Sequence, residues 1–356
     1  MRRIALLCLL VALPGALTAT PAAADVPRDG QGFALADDAY FTFAGDPPEF
    51  LAEAEAWYGS SFATLRPAAF RFQVYWNADQ GLIDRAKMLV DYVRGQGVTQ
   101  VVVSFKKNGP VPDAATYGAS IRAVLAQLGG YVDAWSPANE PNVGDTWLPG
   151  TDGARLLAQY WAQFSAAVDE LDPTALKLSP DFADRRDLGS IGPYLSAYAK
   201  AGGGFGATVA WHPYWGTNAM TRATTDDLLR YVPPDLPVWL TEVGAWGRNT
   251  HGDSHVEQDE LEQNRRLNWL VNDPNGLAAD PRVTRIHQYH MRDSGQPDWD
   301  SALVDEAGVR RPAWYTWCYA SHFADPRGCE QGWGGLRAGL LSAVRLWLRS
   351  ASSGAA

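Results

Sequence analysis

Short apolar runs alternate with longer amphipathic stretches along almost the whole chain. Eight runs have the length and the β-branched or aromatic content of buried strands: residues 32–36, 69–75, 98–105, 132–138, 176–180, 206–212, 237–242 and 283–290. Between them lie stretches with helical spacing of apolar positions, at 48–58, 82–95, 114–128, 152–171, 187–200, 224–231 and 256–271, with a last one at 312–323. Strands that are apolar throughout, each followed by a helix, are the signature of a parallel sheet covered on its outer face. Eight such units predict a single-domain α/β protein, a (β/α)8 TIM barrel rather than an open doubly wound sheet. The glycine-rich phosphate fingerprint that dinucleotide folds carry after their first strand is missing, and Gly202-Gly203-Gly204 reads as a turn leading into a strand.

The two ends differ from this repeat. Arg2 and Arg3, an apolar stretch over 4–17 and the small residues Ala22-Ala23-Ala24 form the pattern of an export signal over residues 1–24. A membrane anchor fits less well, because Pro14 and Gly15 interrupt a run already shorter than the ~20 residues a span needs. The barrel is expected over 25–330, with a tail over 331–356. In that tail 336–348 is apolar, with Arg337 and Arg345 inside it and Arg349 just beyond. Leu341, Val344 and Leu348 share one helical face, suited to docking on the barrel or to weak adhesion to an anionic wall or membrane. These readings predict a secreted protein, extracellular or associated with the cell wall, with no transmembrane span after cleavage and no obligate partner subunit.

Charge narrows the function classes. Cleavage at Asp25 removes two arginines and takes the formal charge from −10 to −12, a poor balance for binding nucleic acid. Cys8 leaves with the leader. Cys318 and Cys329, eleven positions apart, then form an even pair that in an oxidising compartment predicts a disulfide, adding ~3 kcal/mol at best. Zinc finds no cysteine or histidine pair at ligand spacing there, so no metal is expected. Fifteen tryptophans suit a carbohydrate cleft as well as a large core.

The candidate chemistry lies in two strings, Ser136-Pro137-Ala138-Asn139-Glu140-Pro141-Asn142 and Trp239-Leu240-Thr241-Glu242-Val243-Gly244. Each puts a glutamate at the end of an apolar run, where parallel strands deliver side chains to the mouth of a barrel. A proton donor and a nucleophile, both carboxylic acids, are the minimum equipment for retaining glycoside hydrolysis. The nucleophile must be ionised and therefore wants a cation, and Arg71, alone between Phe70 and Phe72, is the best placed one.

These strings resemble the clan of retaining glycoside hydrolases with a (β/α)8 barrel typified by families 5 and 39, the cellulase- and xylosidase-like enzymes. The resemblance covers nearly the whole mature chain, and it implies that Glu140 is the acid/base and Glu242 the nucleophile. It further implies that Asn139 bonds the sugar 2-hydroxyl, that His212 holds the acid/base region and that Tyr214 donates to the nucleophile. Arg71 matches the clan's arginine on strand two, and Arg311-Pro312-Ala313-Trp314-Tyr315 the start of its last helix. Two departures stand out. Pro137 falls where the clan keeps unbroken strand, so a bulge or an early strand end is expected. Strand eight ends in Tyr289-His290 rather than a tryptophan platform, leaving Tyr289 or Trp246 to build the floor of the subsite. Trp76, Trp147, Trp215 and Trp299 are further candidates for stacking on sugar. The expectation is hydrolysis of a polysaccharide or oligosaccharide without any cofactor. The alternatives are a catalytically silent carbohydrate-binding barrel and a transglycosylase using the same intermediate.

Overall fold

The computed structural model describes residues 32–143, 147–184, 189–249, 259–296, 299–322 and 328–329. The export signal, the tail over 331–356 and the starts of the helices expected at 187 and 256 lie outside the described residues. Eight parallel strands close into a barrel: β1 (Phe33–Ala36), β2 (Ala69–Tyr75), β3 (Gln100–Lys106), β4 (Ala134–Ser136), β5 (Leu176–Ala183), β6 (Thr208–His212), β7 (Val238–Val243) and β8 (Val283–Tyr289). β8 pairs with both β7 and β1, so no barrel edge is left open. This is the (β/α)8 architecture expected from the sequence pattern.

The helices are α1 (Pro47–Ala54), α2 (Ser60–Leu65), α3 (Gln80–Gly95), α4 (Ala114–Leu128), α5 (Gly150–Leu171), α6 (Gly192–Lys200), α7 (Tyr214–Asn218), α8 (Ala223–Leu229), α9 (Glu260–Asn272) and α10 (Pro312–Ser321). Local chemistry sets several of their starts. Asp46, Asp79, Asp113 and Asp259 cap α1, α3, α4 and α9, each accepting from backbone N–H groups of the first turn. Pro312 opens α10, where its missing N–H costs nothing. The first predicted helix does not stop at 58 but runs through a wider turn, Glu55–Gly59, into α2. α7, one turn long, has no counterpart in the apolar pattern.

Two proline positions correct the predicted strands. β4 ends at Ser136, not at 138, because Pro137 has no N–H for the ladder. The chain rejoins the sheet at Asn139, whose N–H donates to Phe105 O at 2.8 Å and which bridges to Asp181. β5 does not stop at Pro180; it continues to Ala183 through a register shift between Leu178 and Asp181. Ser179 Oγ takes the N–H of Ala210 at 2.9 Å at that irregularity, so the donor opposite the bulge is not orphaned.

Inside the barrel the two ends differ. Val102, Ala134, Leu178, Ala210 and Trp239 plug the N-terminal half, and Arg285 lies 4.6 Å over the Trp239 ring. Nearer the C-terminal mouth the buried residues are Arg71, Ser104, Asp181, His212, Thr241 and Glu242. Cys318 and Cys329 are disulfide-bonded with Cα atoms 5.8 Å apart, as expected from their spacing. Among the described residues no helix is long and apolar enough to cross a membrane.

Candidate active site

Glu242, next to last in β7, is 4% exposed and held from three directions. Arg71 Nη1 on β2 donates to its Oε1 in a buried ion pair, and Gln73 Nε2 reaches the same oxygen at 2.8 Å. Tyr214 Oη donates to Oε2 at 3.1 Å. Burial alone would raise the pKa of this carboxyl, but the His212 and Arg71 charges overcome that and hold it below its ordinary value. The outcome is a desolvated carboxylate that stays ionised.

Glu140 sits in a different setting. It follows the break at Pro137, its φ is +46°, and its side chain is 22% exposed. A non-glycine residue in this left-handed region costs of order 1–3 kcal/mol and is retained where surrounding contacts over-determine it. Here the Glu140 N–H donates to Asp181 O at 2.8 Å, the Val143 N–H donates to Glu140 O at 3.2 Å, and Tyr117 Oη donates to Pro137 O at 2.5 Å. Its Oε1 lies 2.9 Å from His212 Nδ1.

His212, at the end of β6 and fully buried, links the two carboxylates. Its Nδ1 is 2.9 Å from Glu140 and 3.7 Å from Glu242 Oε2, while Nε2 is 3.1 Å from Thr241 Oγ1. Because the Thr241 hydroxyl donates to Asp181 Oδ1 at 2.6 Å, it accepts from His212 Nε2–H. Burial works against the imidazolium, yet Glu242, Asp181 and Glu140 together raise the His212 pKa to about 9. Asp181 closes the network by pairing with Arg71 at 3.3 Å; burial would raise its pKa, and Arg71 and His212 drive it far down instead.

The remaining candidates divide into groups. Asn139 Oδ1 accepts from Arg71 Nη2 at 2.7 Å beside the carboxylates. Arg71 and His212 are 0% exposed and contact carboxylates, the ring contact of His212 with Tyr214 and the Ser104, Asn139 and Thr241 side chains, so neither is open to a ligand in this state. Tyr214, Trp299 and Trp246 form a chain of edge-to-face rings beyond Glu242, with centroids 5.0 and 5.4 Å apart. Tyr289 is half-buried, 6.5 Å from the Tyr214 ring. Trp76 and Trp147 are 6% and 4% exposed and pack around Tyr117, which makes them core under loops rather than cleft. Trp215 lines a cavity of about 790 Å³ on the β4, β5 and β6 side, together with Asn142, Asp184, Tyr194 and Arg230, and neither Glu140 nor Glu242 is part of its lining.

Four residues escaped the sequence reading. Gln73 and Asp181 contact the central network directly. Asp184, whose carboxyl burial pushes up to about 6, accepts from Trp215 N, Gly216 N and Thr224 Oγ1 and so shapes the cavity wall. Asp38 follows β1 at the mouth. The alternation in Arg71 and Gln73, two apart on one strand, was a readable signal that both face the barrel interior.

No protein-family model matches the chain, and no curated protein sequence does. Solved structures do match. GH5_18 from Streptomyces cattleya, solved with GlcNAc, superposes with a TM-score of 0.60 at 14% identity, over 86% of this chain and 82% of that one. The chain shares its (β/α)8 barrel with these structures. A family 39 glycoside hydrolase from Bacteroides cellulosilyticus WH2 gives 0.57 at 15% identity over 84% and 65% of the two chains. Xylanase 10B from Thermotoga maritima gives 0.55 at 12% identity, over 84% and 97%. At these identities the likeness establishes the fold, and the chemistry has to be argued from the residues.

Proposed function

We propose that this protein is a secreted retaining glycoside hydrolase acting on a polysaccharide or oligosaccharide. The observation that carries this reading is the carboxylate pair. One oxygen of Glu140, one of Glu242 and a ring nitrogen of His212 all lie within 4.8 Å of one another. Retaining enzymes hold their carboxyl groups ~5–5.5 Å apart, whereas inverting ones need ~6.5–9.5 Å to admit a water between them. The nearest oxygens lie closer than the carboxyl groups as wholes, and an approach this short is compatible with direct attack by one carboxylate.

The roles follow from the surroundings. Glu242, ionised and aimed by Arg71, Gln73 and Tyr214, attacks the anomeric carbon, and the glycosidic C–O bond breaks as Glu140 gives its proton to the leaving oxygen. Water then attacks the glycosyl-enzyme ester while Glu140 takes back a proton, releasing Glu242. His212 is a positioning residue, bonded to Glu140 and charged beside Glu242. Export is supported by the leader pattern over residues 1–24 and agrees with the disulfide.

The test is release of reducing ends from plant, fungal and bacterial polysaccharides by the protein and by Glu242→Gln, with the first-formed product anomer read by NMR. Turnover that disappears in the variant, with retained configuration, is expected. An equally active variant would remove Glu242 from the role of nucleophile. Binding without cleavage by both proteins would favour the silent carbohydrate-binding barrel.

A further inference from the structure

The wall of the mouth opposite Glu140 carries a third carboxylate. Two consecutive aspartates follow β1, and they are used differently. Asp37, 1% exposed, accepts from Ala39 N at 2.8 Å, Met291 N at 2.9 Å and Tyr58 Oη at 3.1 Å, which occupies it structurally. Asp38, 9% exposed, takes one good hydrogen bond, from Gln73 N at 2.8 Å to Oδ1. Its other oxygen has a long contact of 3.4 Å with Tyr289 Oη. It makes no ion pair within 4 Å among the described residues, although an ionised carboxylate offers about four acceptor positions.

Its neighbours define where it points its charge. Gln73 donates from its backbone to Asp38 and from its side chain to Glu242. Tyr289 touches Asp38 and faces Tyr214, which donates to Glu242. The contacts therefore run in a ring through Glu242 on β7, Gln73 on β2, Asp38 after β1, Tyr289 at the end of β8 and Tyr214 on α7. Glu140, past the end of β4, lies across the mouth from β1 and β8. If Glu242 attacks and Glu140 protonates the departing oxygen, the leaving group is on the Glu140 side and the attacked sugar is over the ring. Placing a buried carboxylate beside Glu242 is costly: burial pushes its pKa up and the Glu242 charge adds to this, and Lys106 and Arg71 offset only part of the rise. A group kept there with acceptor capacity to spare is suited to hydroxyl donors.

We propose that Asp38 is a specificity-determining residue that accepts hydrogen bonds from two neighbouring hydroxyls of the sugar attacked by Glu242, so that the site takes a neutral glycone and disfavours one bearing a carboxylate. The inference rests on the glycosidase reading given above. A site built around a buried acceptor rejects an analogue that lacks the donor far more strongly than one built on apolar contact does.

The experiment measures kcat/KM of the parent, Asp38→Ala and Asp38→Asn on 4-nitrophenyl mono- and disaccharide glycosides of glucose, mannose, xylose and glucuronic acid. It then uses the monodeoxy analogues of whichever is cleaved. Expected is a fall of about 100-fold or more in Asp38→Ala on the parent glycoside. Removing the contacted hydroxyl should cost the parent protein about 30-fold or more and Asp38→Ala less than about threefold, because the two losses are of one interaction. Asp38→Asn keeps the shape and repeats the cycle should the alanine variant fold poorly. Equal deoxygenation penalties in parent and variants, with normal turnover, would overturn the role of Asp38 and leave the glycosidase reading intact. Preference of the parent for the glucuronide would likewise overturn it. Turnover of none of these glycosides overturns the inference, and if polysaccharides are also untouched the glycosidase reading falls with it.

Discussion

The β7 and β4 sides of the mouth hold chemically identical side chains in opposite ways. Glu242 lies within a six-residue strand, almost without solvent contact, and receives two donors from β2 and one from α7. Glu140 lies past the end of a three-residue strand, on a left-handed backbone, with its carboxyl partly in water and His212 behind it. A group that must remain charged gains from a rigid, donor-rich cage, where reorganisation costs little at the moment of reaction. A group that must give up and recover a proton gains from contact with solvent. One fold supplies both by breaking β4 at Pro137 while β7 runs on past Glu242 to Val243, only its register against β8 shifting there.

The sharpest way to break this comparison is to exchange the roles in experiment. Glu242→Ala should lose on the order of 10⁴-fold or more in kcat, and added azide should restore turnover to give a glycosyl azide of inverted configuration. Glu140→Ala should lose about 100-fold on an activated dinitrophenyl glycoside, whose leaving group needs little protonation, and azide should then give the retained configuration. The opposite pair of products would assign the roles the other way round. Next in size is Arg71→Met. It strands Asp181 and Glu242 as buried charges, so about 3–5 kcal/mol of stability should be lost, read as a lowered denaturation midpoint. Adding Asp181→Asn should recover part of it, because one of the two stranded charges is then gone. Arg71→Lys should not rescue activity, since a point charge cannot serve Glu242, Asn139 and Asp181 from one planar fork.

The same network predicts how stability depends on pH. His212 binds its proton more tightly folded than unfolded, with a pKa near 9 against an ordinary 6.5. Its stabilising contribution is therefore complete below about 6.5 and is lost as pH rises through about 9. Glu242 and Asp181 are displaced downward, so theirs is complete above the ordinary carboxylate range and is lost as pH falls through their lowered values. The site should contribute most at mildly acidic pH. Denaturation midpoints measured from pH 4 to 10 should show the alkaline decline in the parent and a shallower one in His212→Gln. Parallel declines would mean that other groups dominate there.

Much of this arrangement could be read before the fold was known, and the failures have physical causes. Parallel strands buried on both faces read as continuous apolar runs, so Val101–Val103 of β3 and Val238–Leu240 of β7 were evident, and two strand ends carried glutamates. Proline was the main source of error, because a missing N–H is a local fact whose accommodation is not. Pro137 did end β4, but Pro180 did not end β5, since Ser179 caught the donor opposite. Stopping β5 early hid Asp181, the residue that ties Arg71 to the histidine chain. Tryptophans were readable as aromatic but not as buried: Trp76 and Trp147 stack against α4 and α5 through Tyr117 and Tyr160, contacts that depend on how far the helices stand from the barrel. Asp38 and Asp37 are alike in sequence and differ only in how many donors the surrounding loops bring to them.

The smallest predicted effect probes how the β4 side is held. Tyr117 on α4 donates to Pro137 O at 2.5 Å and stacks on Tyr160 with ring centroids 4.1 Å apart. Tyr117→Phe keeps the stacking and removes the side-chain donor to Pro137 O, at the strand break three residues before Glu140. The Asn139 and Glu140 backbone bonds to Phe105 and Asp181 remain, so the loss should be about 1 kcal/mol of stability. If the bond serves the proton donor, turnover of a poor leaving group should fall about twofold to fivefold, since a fraction of that energy appears in the barrier. An activated glycoside, whose bond cleavage needs little help from Glu140, should keep its parental kcat/KM. Equal slowing of both substrates would mean that Tyr117 supports the barrel mouth as a whole, and the contrast between a caged nucleophile and a hinged acid would have to rest on the Glu140 backbone alone.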